Sequence, residues 1–384
     1  MKFLHLSDLH FGLKLYNYDL SEDQEHALDQ VVAQTQTERP QAILIAGDVY
    51  DKSDPSADAV RLFDRFITKL RQSAPDAEIM LVSGNHDSAT RLNLYRGVLD
   101  ACKIRMIGLP PQNPDEYIEK VTLQDEYGPV NFYLLPFVKP SMIRKIVGGE
   151  EDRPLSYDAA VTALLEREPL DLSERNVLVS HQFYLPIGVA PDAVERAASE
   201  RPSAGNIDYV NANVLKAFDY AALGHLHKPL TLGDDFHRYC GTPIPYSTTE
   251  ANDVKGAVWV EMGAKGDITA RVQTVEPKRR VKVIKGLFED VLKQRCDDYV
   301  SVMLTDPDDL DAAEMQNRLR SAFPRLLEVR RETPFRSEFD ESAISDEKVL
   351  SDPYELCLLF LNQDLDLATK ELLQDVVNSV KEGN

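Results

Sequence analysis

Cysteine and long apolar runs are scarce in this sequence, and their scarcity excludes several classes of protein. The four cysteines, Cys102, Cys240, Cys296 and Cys357, are far apart and form no CxxC pair. We therefore expect reduced, mostly buried thiols, and neither a disulfide framework nor a thiolate zinc site. No apolar stretch approaches the ~20 residues of a membrane-spanning helix, and the first residues do not fit a signal peptide. These observations predict a cytoplasmic protein with no membrane partner.

Basic residues are also scarce relative to acidic ones. The 384 residues include 43 Lys and Arg but 64 Asp and Glu, which gives a net charge of −21. This charge argues against DNA binding, because contacts with phosphate groups dominate the affinity of nucleic-acid binders. Two divalent cations in a site, or a basic partner subunit, could still supply positive charge. One basic cluster is present, formed by Lys278, Arg279, Arg280, Lys282 and Lys285.

What the sequence does contain is an alternation of short apolar runs and helical patterns. Continuous apolar character predicts buried strands at 3–6, 42–46 and 78–82, and helical spacing predicts helices at 21–37 and 56–72. This alternation and the strand-rich part that follows it favour a layered α/β sandwich. The later strands are predicted at 130–135, 176–180, 220–223, 238–240 and 257–262.

The pattern changes near Pro277, which we predict to end a main domain of residues 1–277. Residues 333–352 are polar and acidic, as is typical of a linker. Residues 353–384 favour two helices that share an apolar face. Between Pro277 and the linker we predict a small α/β domain, 278–332, with strands at 280–284, 299–304 and 326–331 and helices at 286–294 and 310–322.

Five short motifs of Asp, Asn and His follow predicted strands. Taken alone, each has an ordinary explanation, such as a capped turn or a core histidine bonded to backbone. Together they favour a single site, because ligands gather at the carboxyl ends of strands in an α/β sheet. The candidate metal ligands in these motifs are Asp8, His10, Asp48, Asn85, His181, His225 and His227.

The types of ligand indicate the chemistry. Imidazole nitrogen with carboxylate or amide oxygen, and no thiolate, suits Mn²⁺, Fe²⁺ or Zn²⁺. The candidate ligands are too many for one ion and fit two, with a shared carboxylate for which Asp48 is central. Two such ions lower the pKa of a bridging water and neutralise charge in a phosphate displacement. His86 is placed to protonate the leaving oxygen, and Asp87 would orient that imidazole or only bond backbone at the Gly84 turn.

These motifs resemble those of the calcineurin-like metallophosphoesterase superfamily and, within it, the SbcD family of bacterial nuclease subunits. The opening, Leu4–Gly12, is similar to the SbcD opening. Ser88 follows Asn85-His86-Asp87, whereas protein-phosphatase relatives usually have Glu in place of Asp87. The loop Gly241–Ser247 is similar to the loop that follows the GHxH motif in that family. The resemblance is strong over residues 1–260 and rests on layout beyond them.

The resemblance implies a four-layer β-sandwich core flanked by helices, a small α/β capping domain and C-terminal helices. It implies metal-dependent DNA cleavage, as a 3′–5′ double-strand exonuclease and a single-strand and hairpin endonuclease, with His86 at the transition state. It also implies a homodimer in a heterotetramer with the SbcC ATPase, with 56–72 and 88–101 as candidate dimer contacts. The implied manganese ligands are Asp8, His10, Asp48 and His227 for one ion, and Asp48, Asn85, His181 and His225 for the other.

Several alternatives stay open. Asp51 stands where archaeal and eukaryotic relatives have a second histidine, and it would either orient substrate or cap the helix near Asp54-Pro55. The segment 353–384 would dock on the ATPase coiled coil or fold back on the main domain. The small domain would face DNA or present a solvated charged strand. The competing functions are hydrolysis of cyclic nucleotides or phosphoproteins, and a non-catalytic architectural role.

Overall fold

The computed structural model describes residues 1–94, 96–148, 155–186, 188–189, 193–194, 197–200, 208–307, 311–332, 369–370 and 373. Two compact units divide the chain, Met1–Arg331 and Glu332–Asn384. The predicted linker (333–352) lies outside the described residues, and so does the predicted helical segment (353–384) except for three of its residues. The fold and the candidate site lie in the first unit.

Strands alternate with helices in the first half of this unit, as the sequence predicts. The strands are β1 (Lys2–Leu6), β2 (Lys14–Leu15), β3 (Tyr18–Asp19), β4 (Ala42–Ala46), β5 (Glu78–Val82), β6 (Ile104–Ile107), β7 (Glu119–Asp125), β8 (Gly128–Leu135), β9 (Arg175–His181), β10 (Phe183–Leu185), β11 (Tyr209–Asn211), β12 (Tyr220–Gly224), β13 (Leu230–Thr231), β14 (His237–Tyr239), β15 (Gly256–Met262), β16 (Ile268–Thr274), β17 (Val281–Gly286), β18 (Tyr299–Leu304) and β19 (Arg325–Arg331).

Helices cover the sheets on their outer sides. They are α1 (Ser21–Glu38), α2 (Ala57–Ser73), α3 (Ala89–Leu92), α4 (Arg96–Asp100), α5 (Pro140–Val147), α6 (Tyr157–Glu166), α7 (Phe288–Leu292) and α8 (Ala312–Ala322), together with two 3-10 helices, Ala212–Ala217 and Thr248–Glu250.

Two six-stranded sheets form the centre of the unit. The first has the order β16-β15-β1-β4-β5-β6, in which β1, β4, β5 and β6 run parallel and β15 and β16 pair antiparallel. The second has the order β13-β14-β12-β9-β8-β7, with four parallel strands between antiparallel edges. The carboxyl ends of neighbouring parallel strands therefore meet at one edge of each sheet.

The two sheets pack face to face through a fully buried apolar layer. Phe3 of β1 contacts the rings of Phe132 and Tyr220, with centroids 5.7 and 5.4 Å apart. Helices α1 and α2 cover the outer face of the first sheet, and α5 and α6 cover the outer face of the second. The predicted four-layer α/β sandwich is confirmed. Because the central strands are buried on both faces, their sequences are continuously apolar.

Helix α2 shows how local sequence sets an element. Ser56 precedes it and accepts a hydrogen bond from the Ala59 amide at 3.2 Å, a cap whose loss costs about 1 kcal/mol. Phe63 and Phe66 lie on its buried face. Since Ser56 is the cap, the alternative in which Asp51 caps this helix is wrong.

The sequence pattern did not predict some of the strands. β7 and β16 are edge strands whose side chains alternate between half-buried and exposed positions. Neither contains the continuous apolar run that marks the central strands, and their polar halves resemble loop sequence. The short hairpin of β2 and β3 was also missed, because two-residue strands leave no periodic pattern.

The predicted elements of the small module are confirmed, with a shorter first helix. β17, β18 and β19 form a separate parallel sheet, which packs with α7 and α8 around an apolar cluster of its own. Two members of the basic cluster hold this module on α1: Arg279 contacts Asp23 at 2.8 Å and Lys278 contacts Glu22 at 2.8 Å. Lys282 pairs with Asp298 at 2.6 Å and Arg280 with Glu276 at 3.8 Å, so most of the cluster makes contacts within the chain. The boundary at Pro277 stays a prediction.

Two of the opening expectations concern thiols and membranes. Cys240 is buried, but Cys102 is exposed, so the expectation of mostly buried thiols is only partly met. Within the described ranges, no helix is both long enough and apolar enough to cross a bilayer.

Candidate metal centre

The five motifs converge, as predicted, because the strands before them are neighbours. β1, β4 and β5 lie side by side in the first sheet, and β9 and β12 lie side by side in the second. The facing sheets bring both sets of carboxyl ends to one place. The motif residues gathered there are Asp8 and His10 after β1, Asp48 after β4, Asn85, His86 and Asp87 after β5, His181 at the end of β9, and His225 and His227 after β12.

One group of ligand atoms forms around His10 and His227. Their Nε2 atoms are 3.1 Å apart, and Asp8 joins them with a carboxylate oxygen, all three atoms lying within 4.8 Å of one another. His10 Nε2 also lies 3.5 Å from Asp48 Oδ2. Atoms bound to one ion at about 2.1 Å lie roughly 3–3.5 Å apart, so this spacing suits a shared cation.

A second group forms around Asn85. Its Oδ1 lies 3.1 Å from His181 Nε2 and 3.0 Å from His225 Nδ1. His181 Nε2 is 3.4 Å from Asp48 Oδ2, the same oxygen that faces the first group. Asp48 therefore lies between the two groups, as a bridging carboxylate would. The structure brings all seven predicted ligands together, and their assignment to individual ions stays a prediction.

For two of the histidines, a hydrogen bond to Nδ1 fixes which ring nitrogen faces the centre. His181 Nδ1 lies 2.7 Å from the carbonyl oxygen of Ala46, and since a carbonyl only accepts, Nδ1 carries the proton. Ser199 donates its hydroxyl to Glu250 at 2.7 Å, so its oxygen accepts from His227 Nδ1 at 2.7 Å. In both rings Nε2 is left to present its lone pair inward, which is the form that binds a metal.

Strained backbone places the ligands of the first sheet. Asp8, His10 and Asp48 have φ of 51°, 45° and 48°, in the left-handed region that costs free energy for residues other than glycine. Amide bonds hold this conformation: Asp8 donates to the Gly47 carbonyl at 3.0 Å and His10 to the Asp48 carbonyl at 2.9 Å. A Cβ at Gly84 would lie 2.0 Å from Asp48 Oδ1, so glycine is required there.

Two residues that sequence reasoning missed hold the His10 loop. Gln24 of α1 donates its amide to the carbonyls of Leu9 and His10 at 3.0 and 2.9 Å. Tyr246 donates its hydroxyl to the Leu9 carbonyl at 2.5 Å. Both side chains are buried. Gln24, within a helix, carries no pattern that a sequence alone would reveal, whereas Tyr246 lies in the loop Gly241–Ser247, for which the sequence indicated a resemblance but no contact with His10.

A buried carboxylate behind His227 was missed as well. Glu250 is 1 % exposed and accepts hydrogen bonds from Ser199, Thr242, Ser247 and Lys255, the last at 2.8 Å. Lys255 also donates to the His227 carbonyl at 2.6 Å. The ring and the backbone of His227 are thus both tied to this Glu250 network, which consists of Glu250, Ser199, Thr242, Ser247 and Lys255.

The charges of the centre show why it suits cations. Burial, reinforced by the neighbouring Asp48 charge, raises the pKa of Asp8 to about 8. Burial also lowers the pKa of His227 to about 3. For His181 burial acts in the same direction, but the charges of Asp48 and Asp8 and the hydrogen bonds to Asp48 and Ala46 together raise the pKa to about 9. The buried carboxylates of Asp8 and Asp48 therefore favour positive charge beside them, which divalent ions among N and O donors would supply.

Asp87 follows the second of its two predicted roles, and Asp51 contributes through its backbone. Asp87 accepts amide hydrogen bonds from Val49, Tyr50 and Gly84 at 2.9 to 3.0 Å. Its carboxylate therefore fastens the Asp48 loop to the Gly84 turn, and the idea that it orients His86 is wrong. The backbone carbonyl of Asp51 orients that ring instead, by accepting from His86 Nδ1 at 2.9 Å. A substrate role for the Asp51 carboxylate stays a prediction.

His86 lies at the rim of the centre. Its Nε2 is 4.0 Å from Asp48 Oδ2, further than the nitrogens of His10 and His181. The ring touches His10 edge to face, with centroids 4.8 Å apart. One nitrogen of His86 lies within 4.8 Å of ligand atoms of both His10 and Asp48, close enough to act on a group bound there, and its role as an acid stays a prediction.

The sequence of residues 1–229 matches the family model described as calcineurin-like phosphoesterase. The chain belongs to this family. Among solved structures, this calcineurin-like phosphoesterase is similar to the anchor protein of the inner membrane complex of Plasmodium, at 13% identity and TM-score 0.43, over 86% of this chain and 96% of that one. It is also similar to a dimetal phosphatase from Danio rerio, at 15% identity and TM-score 0.38, over 71% and 96% of the two chains. At these scores neither likeness bears on substrate.

As a calcineurin-like phosphoesterase, the protein is a metal-dependent phosphoester hydrolase, and its His and Asp residues are positioned for a dimetal site. Bound metal ions would supply a hydroxide near neutral pH and positive charge for the phosphate oxygens. The chain itself supplies fixed imidazole lone pairs, a shared carboxylate in Asp48 and, at the rim, the His86 ring.

Proposed function

We propose that this calcineurin-like phosphoesterase is a DNA nuclease of the SbcD type, acting as a 3′–5′ double-strand exonuclease and a single-strand and hairpin endonuclease. One observation carries the proposal: the loop Gly241–Ser247, through which the sequence resembles the SbcD family, packs directly on the metal ligands. Tyr246 bonds the Leu9 carbonyl, and the Thr242 amide donates to the His227 carbonyl at 3.1 Å. A family-specific loop in contact with the ligands supports a family-specific substrate.

In the proposed reaction the phosphodiester lies against the metal-facing atoms, and His86 protonates the leaving oxygen. The Asp51 carbonyl holds Nδ1–H of His86, so that Nε2 faces the site and delivers the proton. Asp48 holds the two ligand groups together. We propose manganese as the metal, since the donors are imidazole nitrogens and carboxylate and amide oxygens without thiolate.

The proposed partner is an SbcC-type ATPase in the cytoplasm, joined in a heterotetramer that contains a homodimer of this chain. The segment 353–384 would dock on the ATPase coiled coil through the apolar spacing of Leu372, Leu373, Val376, Val377 and Val380. Residues 334–384 include four basic and twelve acidic residues, a balance that favours a protein over DNA as their contact.

The test is a cleavage assay on a labelled linear duplex with Mn²⁺. We expect degradation that a chelator stops and that His86→Ala removes while both metals remain bound. The matched control is His26→Ala, since His26 is an exposed histidine outside the centre. Cleavage of cyclic nucleotides without cleavage of DNA, in the presence and absence of the ATPase, would reject the nuclease.

A further inference from the structure

A groove of about 580 Å³ opens beside the metal centre and has no role in the reaction described above. Two of its lining residues bond the site histidines directly. The Asp51 carbonyl accepts from His86 Nδ1 at 2.9 Å, and Ser199 Oγ lies 2.7 Å from His227 Nδ1. The groove therefore begins on the side of the centre where His86, the proposed acid, lies.

Two lysines line this groove without an ion pair to any described residue. Lys14 lies on the hairpin formed by β2 and β3, and Lys52 lies on the loop after β4; both are exposed. Arg330 of the small module adds a third cation, which Glu328 contacts at 2.9 Å. In a chain with a net charge of −21, unpaired lysines at one groove indicate an anionic ligand.

An exposed aromatic ring lines the same groove as these cations. Tyr16 is at the turn of the hairpin, has a φ of 54° and is 46% exposed. Its hydroxyl interacts with Glu328 and Arg330, so the turn lies against the small module. An exposed ring beside cations is the arrangement on which nucleic-acid bases stack. A non-glycine residue in this strained conformation is typical of functional positions.

The groove is also lined by residues with hydroxyl groups. They are Ser199 and Ser247, which donate to Glu250, and Thr248 and Thr249. Hydroxyls commonly contact phosphate and sugar oxygens without reading sequence. The volume lies in the range of small-molecule sites, about 300–1,000 Å³, so the groove fits a short piece of one strand and is too small for a duplex.

We propose that this groove binds a single DNA strand next to the phosphate that is cut, with strand phosphates on Lys14 and Lys52 and a base stacked on Tyr16. This inference rests on the proposed nuclease function. It adds that the ends of a duplex must separate over the first nucleotides before the phosphodiester reaches His86.

The test measures the binding of a fluorescent single strand with nuclease-resistant phosphorothioate linkages to the full chain, as a function of salt. We expect Lys14→Ala and Lys52→Ala each to lower the slope of log affinity against log salt by about 0.7, the value for one lost phosphate contact on a single strand. Tyr16→Ala should weaken binding about tenfold without changing the slope, and Tyr16→Phe should restore it. Lys216→Ala and Tyr127→Ala, outside the groove lining, are the matched controls.

Two readouts separate this inference from the proposed function. Wild-type hydrolysis of bis(p-nitrophenyl) phosphate reports the metal centre alone, and duplex cleavage reports the nuclease. If both proceed while the groove variants bind the strand like wild type, the groove is wrong and the nuclease stands. A second outcome is that the small diester is cleaved and DNA is not, while strand binding still depends on Lys14, Lys52 and Tyr16. That outcome would reject the nuclease function and keep the groove as a binding site. Absence of any strand binding by wild type rejects the groove.

Discussion

The two halves of the metal centre are built differently. The His227 half, formed by Asp8, His10 and His227, is held by side chains of the Glu250 network. The His181 half, formed by Asn85, His181 and His225, is held at His181 by the backbone carbonyl of Ala46 in β4. Asp48 belongs to both.

The two halves should therefore respond differently to mutation. A backbone carbonyl within a central sheet cannot be removed by exchanging a side chain, so His181 keeps its orientation as long as the sheet is intact. His227 depends on groups that single substitutions can delete. We therefore expect the two metal sites to lose affinity separately when the residues behind them are changed, although the ligands themselves are untouched.

The largest effect should come from Asp48→Asn, because this carboxylate faces both halves at 3.5 and 3.4 Å. We expect both ions to be lost and phosphodiester hydrolysis to fall by more than roughly a hundredfold, the upper range for changes beyond the ligands. Metal content and hydrolysis rate measured on the same preparation would check it. Retention of two tightly bound ions would contradict the bridging role.

Glu250→Gln should weaken metal binding at the His227 half only. The substitution removes the negative charge that pairs with Lys255 and that accepts the Ser199 hydroxyl. Metal affinity should therefore fall about 10- to 100-fold at the His227 half. Unfolding free energy should fall by about 3 kcal/mol, the lower end for a broken buried pair, because Asp253 still lies 3.3 Å from Lys255. Calorimetry should then show one tight site in place of two.

The matched control for this variant is Glu261→Gln, which changes a carboxylate that is 55% exposed and pairs with Lys2. It should leave both metal sites unchanged. If Glu250→Gln weakens the two sites equally, the two halves of the centre are not held independently.

Ser199→Ala should act in the same direction with a smaller effect. It removes one hydrogen bond to His227 Nδ1 but leaves the Lys255 contact with the His227 carbonyl. We expect about a tenfold loss of affinity at the His227 half and little change in stability. Metal titration followed by electron paramagnetic resonance of Mn²⁺ would detect it, with Ser321→Ala as a control; an unchanged spectrum and affinity would show that the ring needs no support from Ser199.

The smallest effect is expected from Asp208→Asn, on the other half. Asp208 Oδ2 lies 3.8 Å from His225 Nε2, beyond hydrogen-bond distance. Because this contact is long, we expect metal affinity to change by less than about threefold. A parallel titration of Asp234→Asn, which alters an exposed Asp–His pair elsewhere, sets the background. A larger loss with Asp208→Asn would mean that the His181 half also relies on side chains.

The ligands could be predicted from the sequence because strand ends are visible in it. The continuous apolar runs of β4 and β5 fix where Asp48 and Asn85 stand, and adjacency of parallel strands then brings these residues together. The alternation of strands and helices likewise predicts the layers and the elements of the small module. These inferences need only local pattern and the geometry of parallel sheets.

The residues behind the ligands could not be predicted, since their partners are distant in the chain. Gln24 is 222 positions from Tyr246, which it contacts, and in sequence it looks like any polar residue of an amphipathic helix. For Asp87 the sequence left two roles open, because a carboxylate beside a histidine suggests a pair. The structure confirms the bond to the Gly84 turn, since three amides lie within reach of the carboxylate oxygens.

Helix α1 carries two neighbouring residues with separate duties. Asp23 accepts hydrogen bonds from Arg279 and Tyr299 of the small module, both at 2.8 to 2.9 Å, and Gln24 grips the carbonyls of Leu9 and His10. Less than one helical turn thus joins a peripheral module to the loop of a metal ligand. A displacement of the module would move the helix that holds the His10 loop, which couples the position of the module to the geometry of the ligand.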